Sequence, residues 1–362
     1  MKTCKPQTSS FLDGCRVAVC LVLIAFATLS VLFTPRSTHA STESRTCQSF
    51  NVPVALDEGQ LLQYSIYGEL CNPISGPGRV IELTIPGGTY NHTYWDFPYE
   101  PQTYSYVQAT NAAGYSTFNI DRIGTGMSSH PLLSIVDVTM YTNAYVIHEI
   151  VQDLRSGKIG NQLFSQVVLV GHSLGSVDAW LEAGTYHDVD GVIITGLLHN
   201  MNFISLAGVL NSFYPAALDK RFAKDGYGLG YLTTKPGTRG NDFYYLPGAD
   251  PNVIATDEAT KDTATDGEVT TFPIVFESGI SLQIMVPVLV VVGQQDTLLC
   301  GLGATNCSSA ETVLQAETSY YAPQAQLQVV VIPGSGHDLN LHESAPLWFA
   351  AATTWLYQYF AL

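Results

Sequence analysis

The sequence predicts an α/β fold: a mostly parallel central sheet flanked by helices, interrupted late by one long insertion. Three observations predict it. Strand-like and helix-like segments alternate from residue 60 onward. Several strand segments are continuously apolar, as strands covered on both faces are. About 85 residues, 200–284, stand where a crossover needs only about a dozen.

The elements follow in order. Residues 1–40 have the pattern of a secretory signal: basic Lys2, Lys5 and Arg16, an apolar run of 17 residues at 17–33, and a small-x-small site at Thr38-His39-Ala40. The alternative is a membrane anchor formed by 17–33, but that run falls short of the usual spanning length of about 20 residues. Cleavage removes four of the 15 basic and one of the 31 acidic residues, leaving 11 and 30, a net charge of −19. Such a surface repels nucleic acid and anionic membranes, and no stable membrane insertion is expected after cleavage.

Four cysteines remain, Cys47, Cys71, Cys300 and Cys307, and three pairings are open to them. The favoured ones are Cys47–Cys71, stapling the N-terminal arm to the first hairpin, and Cys300–Cys307, closing a Gly-rich loop. No histidine lies at metal-ligand spacing from them, so no zinc site is expected there. Asn91 and Asn306 sit in Asn-x-Ser/Thr patterns, glycosylated only if the source modifies secreted proteins.

Strands are predicted at 60–67, 79–85 and 115–120, the last running into the turn-rich residues 121–126 (DRIGTG). Tyr141, Ala144, Ile147, Val151 and Leu154 recur at helical spacing within 136–154. Further strands follow at 166–170, 191–195, 287–292 and 326–332, and an amphipathic helix at 345–360 closes the chain. The core is thus expected in two parts, 41–199 and 286–362. The intervening 200–285 is rich in aromatics and glycine, with an acidic, Thr-rich patch at 257–268, and is read as a lid.

At the end of the strand 166–170 stands Gly171-His172-Ser173-Leu174-Gly175. A G-x-S-x-G turn between strand and helix lifts a serine hydroxyl clear of the backbone, and the small residues on either side avoid collision. The helix beginning at Leu174 points its positive end at the place where an oxyanion would form. A serine nucleophile needs a base, and the base a carboxylate. Asp296 follows the apolar strand 288–292 and His337 follows 329–332, both just past C-terminal strand ends, where open α/β sheets gather their ligands.

With the order Ser173, Asp296, His337, the chain resembles the α/β-hydrolase superfamily across nearly all of residues 55–362. The likeness rests on a Gly-rich turn after an early strand, the Asp-Arg-x-Gly-x-Gly loop, the serine turn, and the Asp and His loops. It implies an oxyanion hole of two backbone N–H groups, one from Leu174 and one from Pro86-Gly87-Gly88-Thr89. Many members carry His-Gly-x at that turn and a tryptophan nine residues beyond the His. Here Pro86 replaces the His and Trp95 keeps the spacing, which maps the donor to Gly88, with Thr89 the alternative.

Other candidates are assigned lesser roles. His172 is read as packing beside the serine turn, and His342 as solvated or capping on the next helix. His148 and His199 lack a strand-end setting, and Asp188 and Asp190 precede a strand. Arg122 is read as tying its own loop down. The function expected is a secreted serine esterase of neutral or apolar, small-molecule or lipid-like esters, with no cofactor. An amidase or peptidase using the same triad, or an idle binding domain, are the alternatives.

Overall fold

The computed structural model describes residues 45–360 of the 362-residue chain. The signal segment 1–40, with its alternative anchor 17–33, lies outside them. Among the described residues no helix is long and apolar enough to cross a membrane.

Eight strands form the main sheet: β1 (Arg45–Val54), β2 (Tyr64–Pro73), β3 (Val80–Ile85), β4 (Ser116–Ile120), β5 (Gln166–His172), β6 (Gly191–Thr195), and, beyond the insertion, β10 (Val288–Gly293) and β11 (Gln328–Ile332). Their order is β1-β2-β4-β3-β5-β6-β10-β11. The six from β4 to β11 run parallel, while β1–β2 and β2–β4 are antiparallel. Every residue of β3, β6 and β10 is buried, which is why β6 and β10 read as nearly continuous apolar runs; in β3 the buried Glu82 and Thr84 are hydrogen-bonded to Tyr106 and Asn119.

Two elements differ from expectation. The first predicted strand starts at Tyr64 rather than residue 60, because Gln60–Gln63 lie exposed before it. It extends to Pro73 because an unpredicted strand, β1, pairs along its whole length. The predicted helix 136–154 is split: Thr139 is extended, and its side chain caps a helix at Met140–Ser156 by accepting from the Thr142 N–H. Cys47 stands directly opposite Cys71 in the β1–β2 register, and their sulfurs are bonded, as are those of Cys300 and Cys307.

The insertion carries its own structure. Helix Phe203–Ser212 leads into a three-stranded antiparallel sheet of β7 (Phe213–Pro215), β8 (Tyr231–Thr234) and β9 (Ala264–Thr265). Helices Arg239–Phe243, Pro251–Thr260 and Asp266–Phe276 complete it. Asp257, Asp262 and Glu268 of its acidic patch are buried: Asp257 pairs with Arg239, and Asp262 accepts from Asn91 Nδ2 and the Gly126 N–H. Thr265 and Glu268 form a reciprocal capping box at the start of the last helix.

Candidate active site

β5 ends in a sharp turn at Ser173, where φ is +52°, a conformation costly for a residue with a side chain. The flanking glycines make it possible. A Cβ on Gly171 would sit 2.5 Å from the Gly175 carbonyl oxygen, and one on Gly175 would sit 2.5 Å from that of Ile85. The serine N–H donates to the Thr195 carbonyl at 2.9 Å, so the neighbouring strand holds the turn. Helix Leu174–Tyr186 starts immediately afterwards.

The structure brings Ser173, His337 and Asp296 together. His337 Nε2 lies 2.9 Å from Ser173 Oγ, and its Nδ1 lies 2.8 Å from Asp296 Oδ2. Asp296 is fully buried, and its other oxygen accepts from the Leu298 N–H at 2.9 Å. Burial alone would lower the His337 pKa. The Asp296 charge and hydrogen bond, joined by the charge of Asp338, outweigh it and raise the pKa above 6.5.

The insertion helps to set this geometry. The His337 N–H donates to the Phe243 carbonyl at 2.9 Å. His342, expected to be solvated or capping on the next helix, is fully buried instead. Its Nε2 accepts from the N–H groups of Gly336 and Tyr245 at 3.0 Å, and its Nδ1 donates to the Asp338 carbonyl at 2.8 Å. These three bonds require the neutral Nδ1–H tautomer, and burial lowers its pKa accordingly. His342 thus clips the His337 loop to the insertion.

His172 is a packing residue, as expected. It stacks on Tyr94 with centroids 4.4 Å apart. Its Nε2 lies 3.4 Å from Asp338 Oδ1, yet burial and the nearby His337 hold its pKa well below 6.5, so the contact is neutral rather than ionic. Asp338 itself was not singled out from the sequence, although it directly follows His337. It is fully buried and accepts from the Tyr90 hydroxyl, and Arg239 lies over the Tyr90 ring at 4.2 Å.

At the turn Pro86–Thr89, the Thr89 N–H donates to the Thr263 carbonyl at 3.2 Å. The Gly88 N–H has no backbone acceptor among the described residues. Gly88 and Leu174 line one cavity with Ser173 and His337. Arg122 does not merely hold its own loop. It is fully buried and donates to the carbonyls of Pro86 at 2.9 Å and Gly87 at 3.2 Å, while pairing with Glu268 of the insertion.

The remaining candidates lie elsewhere. His199 is sandwiched between Trp180 and Tyr320 and bonded to Glu317 and Ser281. His148 pairs with Asp188, and Asp190 with Arg155.

A doubly wound sheet with a strained serine turn, and with a histidine and a carboxylate at two later strand ends, defines a class of fold and site. The chain matches the profile of the alpha/beta hydrolase family over residues 83–352, and it belongs to that family. No curated protein matches it by sequence. Among solved structures it is similar to a soluble variant of monoglyceride lipase from Saccharomyces cerevisiae in complex with a substrate analogue: 16% identity, 86% of this chain and 97% of that one, TM-score 0.58. A monoacylglycerol lipase from Paleococcus ferrophilus aligns at 15% identity over 87% and 99% of the two chains, TM-score 0.51. The esterase domain of a Rhodothermus marinus protein aligns at 15% identity over 87% and 100%, TM-score 0.51. At these identities the likeness is one of fold.

Proposed function

We propose that the protein is a secreted serine hydrolase that cleaves carboxylic esters with neutral, apolar acyl groups. The observation that carries this reading is the Ser173–His337–Asp296 relay opening into an apolar cavity. His337 takes the Ser173 proton as the oxygen attacks the ester carbonyl, while Asp296 fixes the imidazole tautomer and stabilises the imidazolium. The N–H groups of Gly88 and Leu174 bind the oxyanion. His337 then protonates the leaving alcohol and activates the water that releases the acyl group. No cofactor enters these steps. Two bonded cysteine pairs support export.

Gly88 is favoured over Thr89 as the donor because Thr89 is already committed to Thr263. Arg122 sets its direction. The Gly88 N–H shares a peptide plane with the Gly87 carbonyl, and in a trans peptide the two point opposite ways. Holding the carbonyl on Arg122 therefore turns the N–H away from that side chain.

The cavity holds about 130 Å³, close to the size that accommodates one benzene ring. Leu197, Met201, Leu206, Phe213, Phe243 and Phe272 line it, and His337 is its only titratable lining group. Helix Phe203–Ser212, which turns Leu206 and Val209 to the cavity, exposes Phe203 and Ile204 to solvent. Being apolar on both faces, it suits a lid that meets apolar substrates. The acidic residues that could have received a substrate amine are engaged instead: Asp262 by Asn91 and Glu268 by Arg122 of the core, and Asp257 by Arg239.

A panel of p-nitrophenyl esters of graded length, run beside aminoacyl arylamides, tests the reading. The kcat/KM is expected to peak at acyl chains of roughly four to eight carbons, the range a cavity of this size takes. Turnover of arylamides alone would make the protein an amidase. A peak at long acyl chains would contradict the cavity argument.

The pH dependence follows from the same geometry. Only neutral His337 can act as base, so kcat/KM is expected to rise with pH along a limb whose midpoint lies above 6.5. Asp338→Asn removes one of the charges that raise this pKa and is expected to move the limb to lower pH. An unmoved limb would deny Asp338 that influence.

A further inference from the structure

Away from the cavity, helix Leu174–Tyr186 carries Glu182 nine residues beyond Ser173, about 13 Å along the axis. Glu182 is fully buried, and neither of its carboxylate oxygens accepts a hydrogen bond from the described residues. Across from it stand His148 and Asp188; among the described residues the Oδ1 of Asp188 has no donor other than the Glu182 carboxyl, which lies within hydrogen-bond reach of Asp188. One ligand atom from each of the three lies within 4.8 Å of the others.

Two facing carboxylates in a buried setting repel unless a proton or a cation lies between them. Burial, and then Asp188, push the Glu182 carboxyl well above its ordinary range. The Arg155 charge only partly offsets this. Arg155 spends its donors on the backbone carbonyls of Asp188 and Ser165 and on the Asp190 carboxylate.

We propose that His148, Glu182 and Asp188 form a divalent-cation site. One imidazole with two carboxylates favours a borderline first-row ion such as Zn²⁺ over Ca²⁺ or Mg²⁺. The donors present a charge of −2 when His148 is neutral. On binding, the ion takes the place of the 2.7 Å hydrogen bond between His148 Nδ1 and Asp188 Oδ2, the imidazole proton moving to Nε2, and the proton shared by the Glu182 and Asp188 carboxyls leaves to solvent. The surroundings support this arrangement. Gln152 donates to Asp188 Oδ2, and Tyr186 stacks on the His148 ring with centroids 4.1 Å apart, fixing its orientation. The side chains of His148 and Asp188 are 26% and 16% exposed, so an ion has a way in from solvent. The ion would join helix Met140–Ser156, the far end of the helix that follows Ser173, and the loop before β6.

Calorimetric titration of Zn²⁺ into the full disulfide-bonded chain tests the site, with Ca²⁺ and Mg²⁺ in parallel and the melting temperature as second readout. One equivalent of Zn²⁺ is expected to bind, with a heat that depends on the buffer because protons are released, and to raise the melting temperature. Glu182→Gln, Asp188→Asn and His148→Gln are each expected to weaken binding by about tenfold or more. Should the buried Glu182→Gln variant fail to fold, the two variants at partly exposed positions carry the test. Unchanged Zn²⁺ affinity in the variants, no binding to wild type, or tighter binding of Ca²⁺ would overturn the proposal.

Discussion

Ser173→Ala is expected to lower kcat for ester hydrolysis by about 10⁴- to 10⁶-fold, the scale on which a serine nucleophile fails when its hydroxyl is removed. The fold should survive, because the backbone N–H of residue 173 still donates to Thr195 and the Gly171 and Gly175 contacts are untouched. The measurement is kcat on the best ester of the panel, beside labelling by a fluorophosphonate probe. Wild type should label and the variant should not. Labelling that persists in the variant would place the nucleophile elsewhere. A wild type inert to both probe and esters would make this α/β-hydrolase a binding domain.

Arg122→Met is expected to have the largest effect on stability, because it leaves buried charge without a partner. Arg122 stands fully buried between three elements: Glu268 of the insertion, Asp178 of the helix after Ser173 at 4.0 Å, and the carbonyls of Pro86 and Gly87. Burial pushes the Asp178 carboxyl up to about 8 even with Arg122 beside it, so at neutral pH it is largely protonated and Glu268 is the main ionic partner. Removing one member of such a pair costs about 3–5 kcal/mol. At about 2–4 °C per kcal/mol this is a fall of roughly 10 °C in melting temperature. The variant should also lose kcat more than KM, since the Gly87 carbonyl that orients the Gly88 N–H is released. Glu268→Gln breaks the ion pair but spares the bonds to Pro86 and Gly87. It is therefore expected to lose stability while keeping most of its kcat. Equal kcat losses in both variants would sink the orienting role of Arg122.

The strands β6 and β10 were legible to within a residue because they are buried on both faces, and burial writes an apolar run into the sequence; β3 was legible from its Val, Ile and Leu despite the buried Glu82 and Thr84. Ser173, Asp296 and His337 were legible for a related reason: each follows such a run, and strand ends are where this architecture gathers its groups. β1 was missed. It is an edge strand whose Cys47 to Asn51 are mostly exposed, so its pattern is polar and its pairing with β2 is not written locally. His342 was misplaced because a lone histidine after a loop looks the same whether solvated or buried. Only the N–H groups of Gly336 and Tyr245, the latter 97 residues away in sequence, decide which it is. Asp338 carried a faint signal in its position next to His337, but its partner Tyr90 is 248 residues distant.

Local patterning alone therefore determined the alternation of elements, the serine turn and the order of the three residues that meet there, because these depend on burial and backbone geometry over a few residues. Tertiary structure decided what those patterns could not reach: that Arg122 ties its loop to the turn before Gly88 and to Glu268, that Thr89 is committed to Thr263, and that Asp257, Asp262 and Glu268 of the acidic patch are buried. Each of these joins residues far apart in the chain, and only packing determines which buried polar groups find one another.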